Sequence, residues 1–349
     1  MADIEFQSRE DSFALLNPMK DFAPDTQRIQ VRKDPLLGHT SVYNPLIDDG
    51  LKAFVGEADR ELLQRLSSES AKHCFFCPER IAGVARFRGD FVAEGVIRVG
   101  ETVLFPNLFA LGRHHSVAAI AHAHFLELHE FTPELLGNAF RAIRIYVTAV
   151  HSHDAEANEV SANANYLFPA GASVIHPHFQ TMVTAQPYTQ QARLLTACRD
   201  YLERHGRAYH DDLIRREREL RERYIAKTGS WNWLAAYSPM ASNEILGIHE
   251  HEADFTRLTE ADLDELARGL SGILRTYGRL GYLSFNFSLY ARRDPESQNG
   301  FNCLLRCMTR QNPNPHYRTD DFFLQKGLQA ELILKLPEAL AAEARKDLE

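Results

Sequence analysis

The chain has little of what would mark a membrane, secreted or nucleic-acid-binding protein. No apolar run approaches the roughly 20 residues a membrane helix needs, so no spanning segment is expected. The first residues, Met1 to Phe13, are acidic and lack the basic-then-apolar layout of a secretory leader. Basic charge is not in excess: 39 Lys and Arg stand against 47 Asp and Glu, a formal net charge of -8. That balance argues against a broad surface for nucleic acid or anionic lipid, although local pockets for single phosphates stay open. Cysteine is scarce and odd in number. The five positions, Cys74, Cys77, Cys198, Cys303 and Cys307, are unevenly spaced. They make a poor disulfide framework and suit a reducing compartment, where paired cysteines more often bind metal. A cytoplasmic protein is expected. What remains is ordinary for a soluble globular chain, 44% hydrophobic and 25% charged, and 349 residues allow two domains or one large one.

Against this background one stretch stands out, Ser173-Val-Ile-His176-Pro-His178-Phe-Gln180. In an extended segment, residues two apart project from one face. The spacing therefore aims two imidazoles and an amide into the same space. Imidazole serves as metal ligand, proton carrier or nucleophile, and Pro177 stiffens the segment. A lone His-x-His is weak evidence until its surroundings support it.

Those surroundings are informative. Cys74-Phe-Phe-Cys77 can place two thiolates on one tetrahedral metal, which is half a site. Val117 to Ala121 is an apolar strand ending in His122-Ala-His124. Thr132-Pro133-Glu134 opens a helix as N-cap, first-turn proline and acid, and Leu136, Phe140, Ile143, Val147 and Val150 continue it as an apolar stripe. Asn163 to Ala185 reads as strand, turn and strand. Residues 190–227 read as solvated helix, and a short helix is expected at 57–67. This pattern then recurs 127 residues on: His249-Glu-His251 matches His122-Ala-His124, and Thr259 matches Thr132 at equal spacing. Thr259 with Asp262 approximates a capping box, and Leu266, Leu270, Ile273, Leu274 and Tyr277 form the second stripe. We expect an α+β protein of two duplicated halves, the first active and the second supporting it. Residues 1–27 read as an N-terminal arm, 28–186 as the catalytic half and 187–349 as the degenerate half.

A structural metal site needs four N or S ligands. Cys74 and Cys77 supply two, and His124 and His176 are the best candidates for the others, with His73, His114, His115 and His122 as competitors. His178 is then free for chemistry beside a metal-pinned strand, pre-oriented toward phosphorus, and Gln180 can donate to a phosphoryl oxygen.

His-Pro-His-x-Gln, preceded by the Cys-x-x-Cys and an intermediate His, resembles the galactose-1-phosphate uridylyltransferase family, the nucleotidyltransferase branch of the histidine-triad superfamily. The likeness covers most of residues 28–349 and includes Phe105-Pro-Asn107-Leu-Phe-Ala, Asn165, Gly171 and Ser173. The resemblance implies two fused histidine-triad-like halves, each an antiparallel sheet with packed helices, and a homodimer. It implies Zn2+ on Cys74, Cys77, His124 and His176, a nucleotidylated nucleophile at His178, a phosphoryl contact at Gln180, and nucleotide or phosphate contacts at Asn107, Asn165 and Ser173. It further implies ping-pong transfer from a nucleotide-sugar or dinucleotide to a phosphate-bearing acceptor, with phosphorolysis or hydrolysis by the same histidine as the alternative. The chain departs from the family in four places. The arginine-bearing phosphate segment reads Asn44-Pro-Leu-Ile-Asp-Asp-Gly50. Position 179 is Phe where the uridylyltransferases have Gly, so a bulkier floor is expected beside the nucleophile. The hexose-binding Tyr-Glu pair reads Lys326-Gly327. Phe301 to Cys307 carries no second metal site. Lys33, Lys52, Arg86, Arg88 and Lys326 are the candidate replacements for the missing arginines.

Overall fold

The computed structural model describes residues 4–49, 57–293, 300–315 and 319–348. Near the N-terminus, β1 (Gln7–Asn17) and β2 (Ala23–Lys33) form a long antiparallel hairpin. β3 (Thr40–Tyr43) pairs with β2, and α1 (Pro45–Asp49) and α2 (Arg60–Ala71) follow. The first half then runs β4 (Ile97–Val99), β5 (Thr102–Pro106), β6 (His114–Ala119), α3 (Pro133–His153), β7 (Glu159–Tyr166) and β8 (His178–Thr184). Helices α4 (Thr189–His205) and α5 (Tyr209–Leu220) lead into the second half. It runs β9 (Tyr224–Thr228), β10 (Trp231–Ala235), β11 (Ile245–His249), α6 (Glu260–Arg279), β12 (Phe285–Arg292) and β13 (Leu304–Thr309). The chain closes with α7 (Phe323–Lys326), β14 (Ala330–Leu332) and α8 (Pro337–Leu348).

Ten strands form one sheet in the order β4-β5-β6-β8-β7-β12-β13-β11-β10-β9. The second five repeat the first five in reverse, so the fold is α+β with two fused halves sharing one antiparallel sheet. The seam is the β7–β12 pair, where Asn163 faces Ser288. Asn163 is flanked by Gln180, and Ser288 by Arg306. A pseudo-twofold axis therefore passes through this pair and relates Gln180 to Arg306.

The helices are where local sequence chemistry puts them. The Thr132 Oγ1 accepts from the Leu135 N–H at 3.3 Å, and the Thr259 Oγ1 accepts from the Asp262 N–H at 3.1 Å. Asp262 returns the bond to the Thr259 N–H at 2.9 Å, completing the capping box. Both apolar stripes are fully buried against the sheet, and Arg141 and Arg144 of α3 pair with Glu260 of α6. No described helix is long and apolar enough to cross a membrane.

Three expectations differ from what is found. Residues 1–27 carry no sustained periodicity and read as an arm, yet residues 7–17 and 23–33 form the β1–β2 hairpin. Most of its residues are exposed, so neither face needed an apolar alternation. Residues 224–228 are strand, not the end of a helix. Phe179 does not bulk the floor beside the nucleophile. It follows His178 by one residue, so its side chain goes through the sheet to the other face. There it is 1% exposed and packs on Phe287 and Phe140, with ring centroids at 4.8 and 6.0 Å. Truncating it with Phe179→Ala should cost about 3–5 kcal/mol. Urea unfolding should show this as a lower midpoint with unchanged slope.

Candidate active site and metal centre

The metal-type donors converge from three places in the chain. Cys74 and Cys77 lie just beyond α2, His124 beyond β6 and His176 just before β8. One donor atom from each lies within 4.8 Å of all the others. The imidazole tautomers are set by their outer partners. The Ser70 hydroxyl donates to the Ser67 carbonyl at 3.1 Å, so at 2.7 Å its oxygen must accept from the His124 Nε2–H. The His176 Nε2–H donates to the Ala121 carbonyl at 2.8 Å. Both rings therefore present an unprotonated Nδ1 to Cys77, at 3.3 Å from His124 and 3.6 Å from His176. Burial, reinforced by the neighbouring Cys74 thiol, pushes Cys77 up to about 11. A thiolate at Cys77 needs a cation to hold it charged. Two thiols and two neutral imidazoles suit a metal ion, zinc among them, and the four residues fit one.

His73 and His122 are exposed and outside this cluster. His114 bonds Asp154 at 2.8 Å instead. His115 does something the sequence did not suggest. It lies on the same face of β6 as Val117, which pairs with Gln180. This diagonal cross-strand position brings its Nε2 to 3.0 Å from the Gln180 Oε1. Asn107 Nδ2 donates to the same oxygen at 3.3 Å, while its own Oδ1 accepts from the Phe109 N–H at 2.9 Å.

His178 is buried at the start of β8. Its Nδ1 lies 2.7 Å from the His176 carbonyl. A carbonyl only accepts, so Nδ1 carries the proton and Nε2 carries the lone pair. Phe76, between the two cysteines, packs edge-on to the ring at 5.4 Å. The knuckle that gathers the metal donors thus also props the imidazole. Burial lowers the His178 pKa and favours the neutral ring.

Of the other expected contacts, Asn165 lies at the end of β7, one residue past the Ala164–Phe179 pair and so beside His178. Its Oδ1 accepts from Asn286 Nδ2 at 2.7 Å, and the Asn286 Oδ1 accepts from Arg310 at 2.7 Å. This chain brings the second half to the first half's site. Ser173 is exposed in the loop before His176. Asn44 opens α1 and bonds Gln27 and the Leu46 N–H. The candidate replacement cations make their recorded contacts elsewhere: Arg86 with the Glu94 and Ala82 carbonyls, Arg88 with Asp90, and Lys326 with Asp321. Lys33 lines a cavity with Tyr201 and Arg204. Lys52 and Gly50 lie outside the described residues.

Comparison with known proteins bears on the fold. The chain matches no protein-family profile. An uncharacterized protein of Archaeoglobus fulgidus is 29% identical over 319 residues, 91% of this chain and 92% of that one. A galactose-1-phosphate uridylyltransferase of Haemophilus influenzae is 26% identical over 271 residues, 71% of this chain and 76% of that one. The chain is a relative of the galactose-1-phosphate uridylyltransferases. Solved structures agree on the fold of this uridylyltransferase relative. An ADP-glucose phosphorylase of Arabidopsis thaliana superposes with a TM-score of 0.69 at 18% identity, covering 91% of this chain and 99% of that one. A galT-like protein of the same plant gives 0.68 at 17%, with the same coverage.

Ser70 is the residue that sequence reading passed over, because it touches the site only through the His124 ring. Ser70→Ala frees that ring and should weaken metal affinity by about 10–100-fold, read by competition with a chromophoric chelator. Wild-type protein that folds with less than about a tenth of a metal ion per chain on elemental analysis would remove the metal assignment.

Proposed function

We propose that this protein transfers a nucleoside monophosphate through a covalent nucleotidyl-histidine at His178, taking it from a nucleoside diphosphate sugar and giving it to a phosphorylated acceptor. The observation that carries this reading is the His178 Nδ1–H bond to the His176 carbonyl. It leaves Nε2 as a fixed lone pair with no protein partner among the described residues. In the first half-reaction, Nε2 attacks the α-phosphorus. A nitrogen–phosphorus bond forms, the bond from phosphorus to the bridging oxygen breaks, and the sugar phosphate leaves with the electron pair. In the second, an oxygen of the acceptor phosphate attacks the same phosphorus and the imidazole departs neutral. A pre-oriented nucleophile saves the entropy of alignment, and splitting one displacement into two retains a reactive intermediate. Gln180 donates to the phosphoryl oxygen as charge builds there. Asn165 and Ser173 lie on the segments before and beside the nucleophile and would contact nucleotide or phosphate, with Asn107 supporting them. Cys74, Cys77, His124 and His176 would hold zinc, whose contribution is to fix this segment, since all four of its positions are filled by protein.

The acceptor is the open choice. The absence of arginine from Asn44 to Asp49 favours a small acceptor that needs fewer contacts, and inorganic phosphate would make the enzyme a phosphorylase. Incubation with α-labelled UDP-glucose or ADP-glucose should leave an acid-labile, protein-bound nucleotide. His178→Gly should abolish it while the fold persists; equal labelling of the variant rules the mechanism out. Adding inorganic phosphate, then hexose 1-phosphate, to the labelled protein assigns the acceptor. Release at one rate into water, whichever is added, would instead mean a hydrolase.

A further inference from the structure

We propose that His115 is a positioning residue for the Gln180 amide, holding its NH2 group toward the phosphoryl group transferred at His178; this rests on the nucleotidyl-histidine reading. The hydrogen positions follow from fixed partners. The Leu111 backbone N–H donates to His115 Nδ1 at 3.0 Å. A backbone N–H cannot accept, so Nδ1 is the unprotonated nitrogen and Nε2 carries the proton. Burial lowers the His115 pKa, against the raising effect of its bond to Gln180, which favours this neutral form with a single N–H. That Nε2–H meets the Gln180 Oε1 at 3.0 Å. Asn107 is fixed in the same way. Its Oδ1 accepts the Phe109 N–H, so its NH2 is the group that reaches Gln180 Oε1 at 3.3 Å. The 3.2 Å approach of Asn107 Nδ2 to His115 Nε2 is then two donors sharing one acceptor.

The consequence falls on Gln180. A terminal amide can flip by half a turn with little change in shape, and the two orientations present opposite chemistry. Here the flipped form would set an NH2 group against two N–H donors. Only one orientation survives, with both acceptor sites of the carbonyl filled and Nε2 left as a donor without a protein partner among the described residues. Gln180 shares a face of β8 with His178, two residues away. A transferred phosphoryl group presents only acceptor oxygens, so an amide locked as donor discriminates where a freely flipping one would not. Preorganised donors act without reorganisation at the moment of reaction.

The test is a double-mutant cycle on metal-loaded, full-length protein, read as the single-turnover rate of nucleotidylation by α-labelled UDP-glucose or ADP-glucose. Loss of a single such donor costs about 10²–10³-fold, so Gln180→Ala should fall in that range. His115→Phe keeps the ring and removes the donor, and should slow labelling by roughly 10- to 100-fold, less than loss of the amide itself. His115→Gln, which restores an N–H, should recover part of the loss. In the Gln180→Ala background, His115→Phe should change the rate by less than about twofold. Independent, multiplying losses would overturn the proposal, because a structural role of His115 would cost as much without the amide. A second measurement stands apart from turnover. ¹⁵N NMR of the histidine rings should show His115 protonated at Nε2 with a bonded, unprotonated Nδ1. A proton on Nδ1 overturns the proposal whether or not the protein labels. Absence of label on wild type, with His115 protonated at Nε2, sinks the nucleotidyl-histidine reading and leaves the locked amide standing.

Discussion

His176 does two jobs with two different parts of one residue, and the site depends on both. Its side chain enters the cysteine–histidine cluster through Nδ1, with the far nitrogen tied to Ala121. Its backbone carbonyl accepts the proton of His178 Nδ1. The carbonyl cannot move without moving the cluster, so the orientation of His178 is inherited from the metal-type donors. Pro177 between them fixes its own φ, and its carbonyl accepts the Ile120 N–H at 3.1 Å, which laces the segment to the end of β6. Phe76 adds a contact from the cysteine loop to the same ring. A metal centre of this kind need not touch substrate to matter, because it makes a loop behave like a strand.

The pseudo-twofold shows why only one half can do this. At the place of Gln180 the second half has Arg306, which is 7% exposed and bonded to Glu244 at 2.5 Å. Two residues before it, where the first half has His178, stands Leu304. It packs in a cluster with Leu194 and Cys198 of α4 and Leu213 and Ile214 of α5. The face that carries the candidate site in one half is thus a hydrophobic core in the other, covered by the two helices that connect them. What the second half brings to the candidate site is Asn286, reaching across the seam to Asn165.

Much of this was legible in the sequence, and the reasons are local. Helix caps and apolar stripes are short-range signals, so α3 and α6 begin and bury where Thr132, Thr259 and their stripes said they would. The repeat could be read because caps and histidines recur at one spacing. The four metal-type donors could be nominated because thiols are few and because, among 16 histidines, His124 and His176 each sit near the end of an element. The side on which Phe179 lies was also available, since strand parity alone decides it. The β1–β2 hairpin was not, because strands exposed on both faces leave no alternation. Nor was the His115–Gln180 bond. It needs the β6–β8 register, and register is set by the whole sheet, not by either strand alone.

That register matters more here than it would in an arginine-lined site. The side chains bonded to Gln180 are an imidazole and an amide, both neutral. The cation that the network brings toward Asn165, Arg310, arrives through Asn286 and is matched by Asp320. A guanidinium is a planar fork whose polar atoms are all donors and whose charge is always positive, so turning it over leaves it attractive to a phosphate. A neutral amide has one useful end. Its contribution changes sign when it turns over, since an oxygen facing a phosphoryl oxygen repels it. A site that has exchanged charge for amide dipoles must therefore spend structure on holding them, and the bonds from Leu111 to His115 and from His115 to Gln180 are where this fold does so.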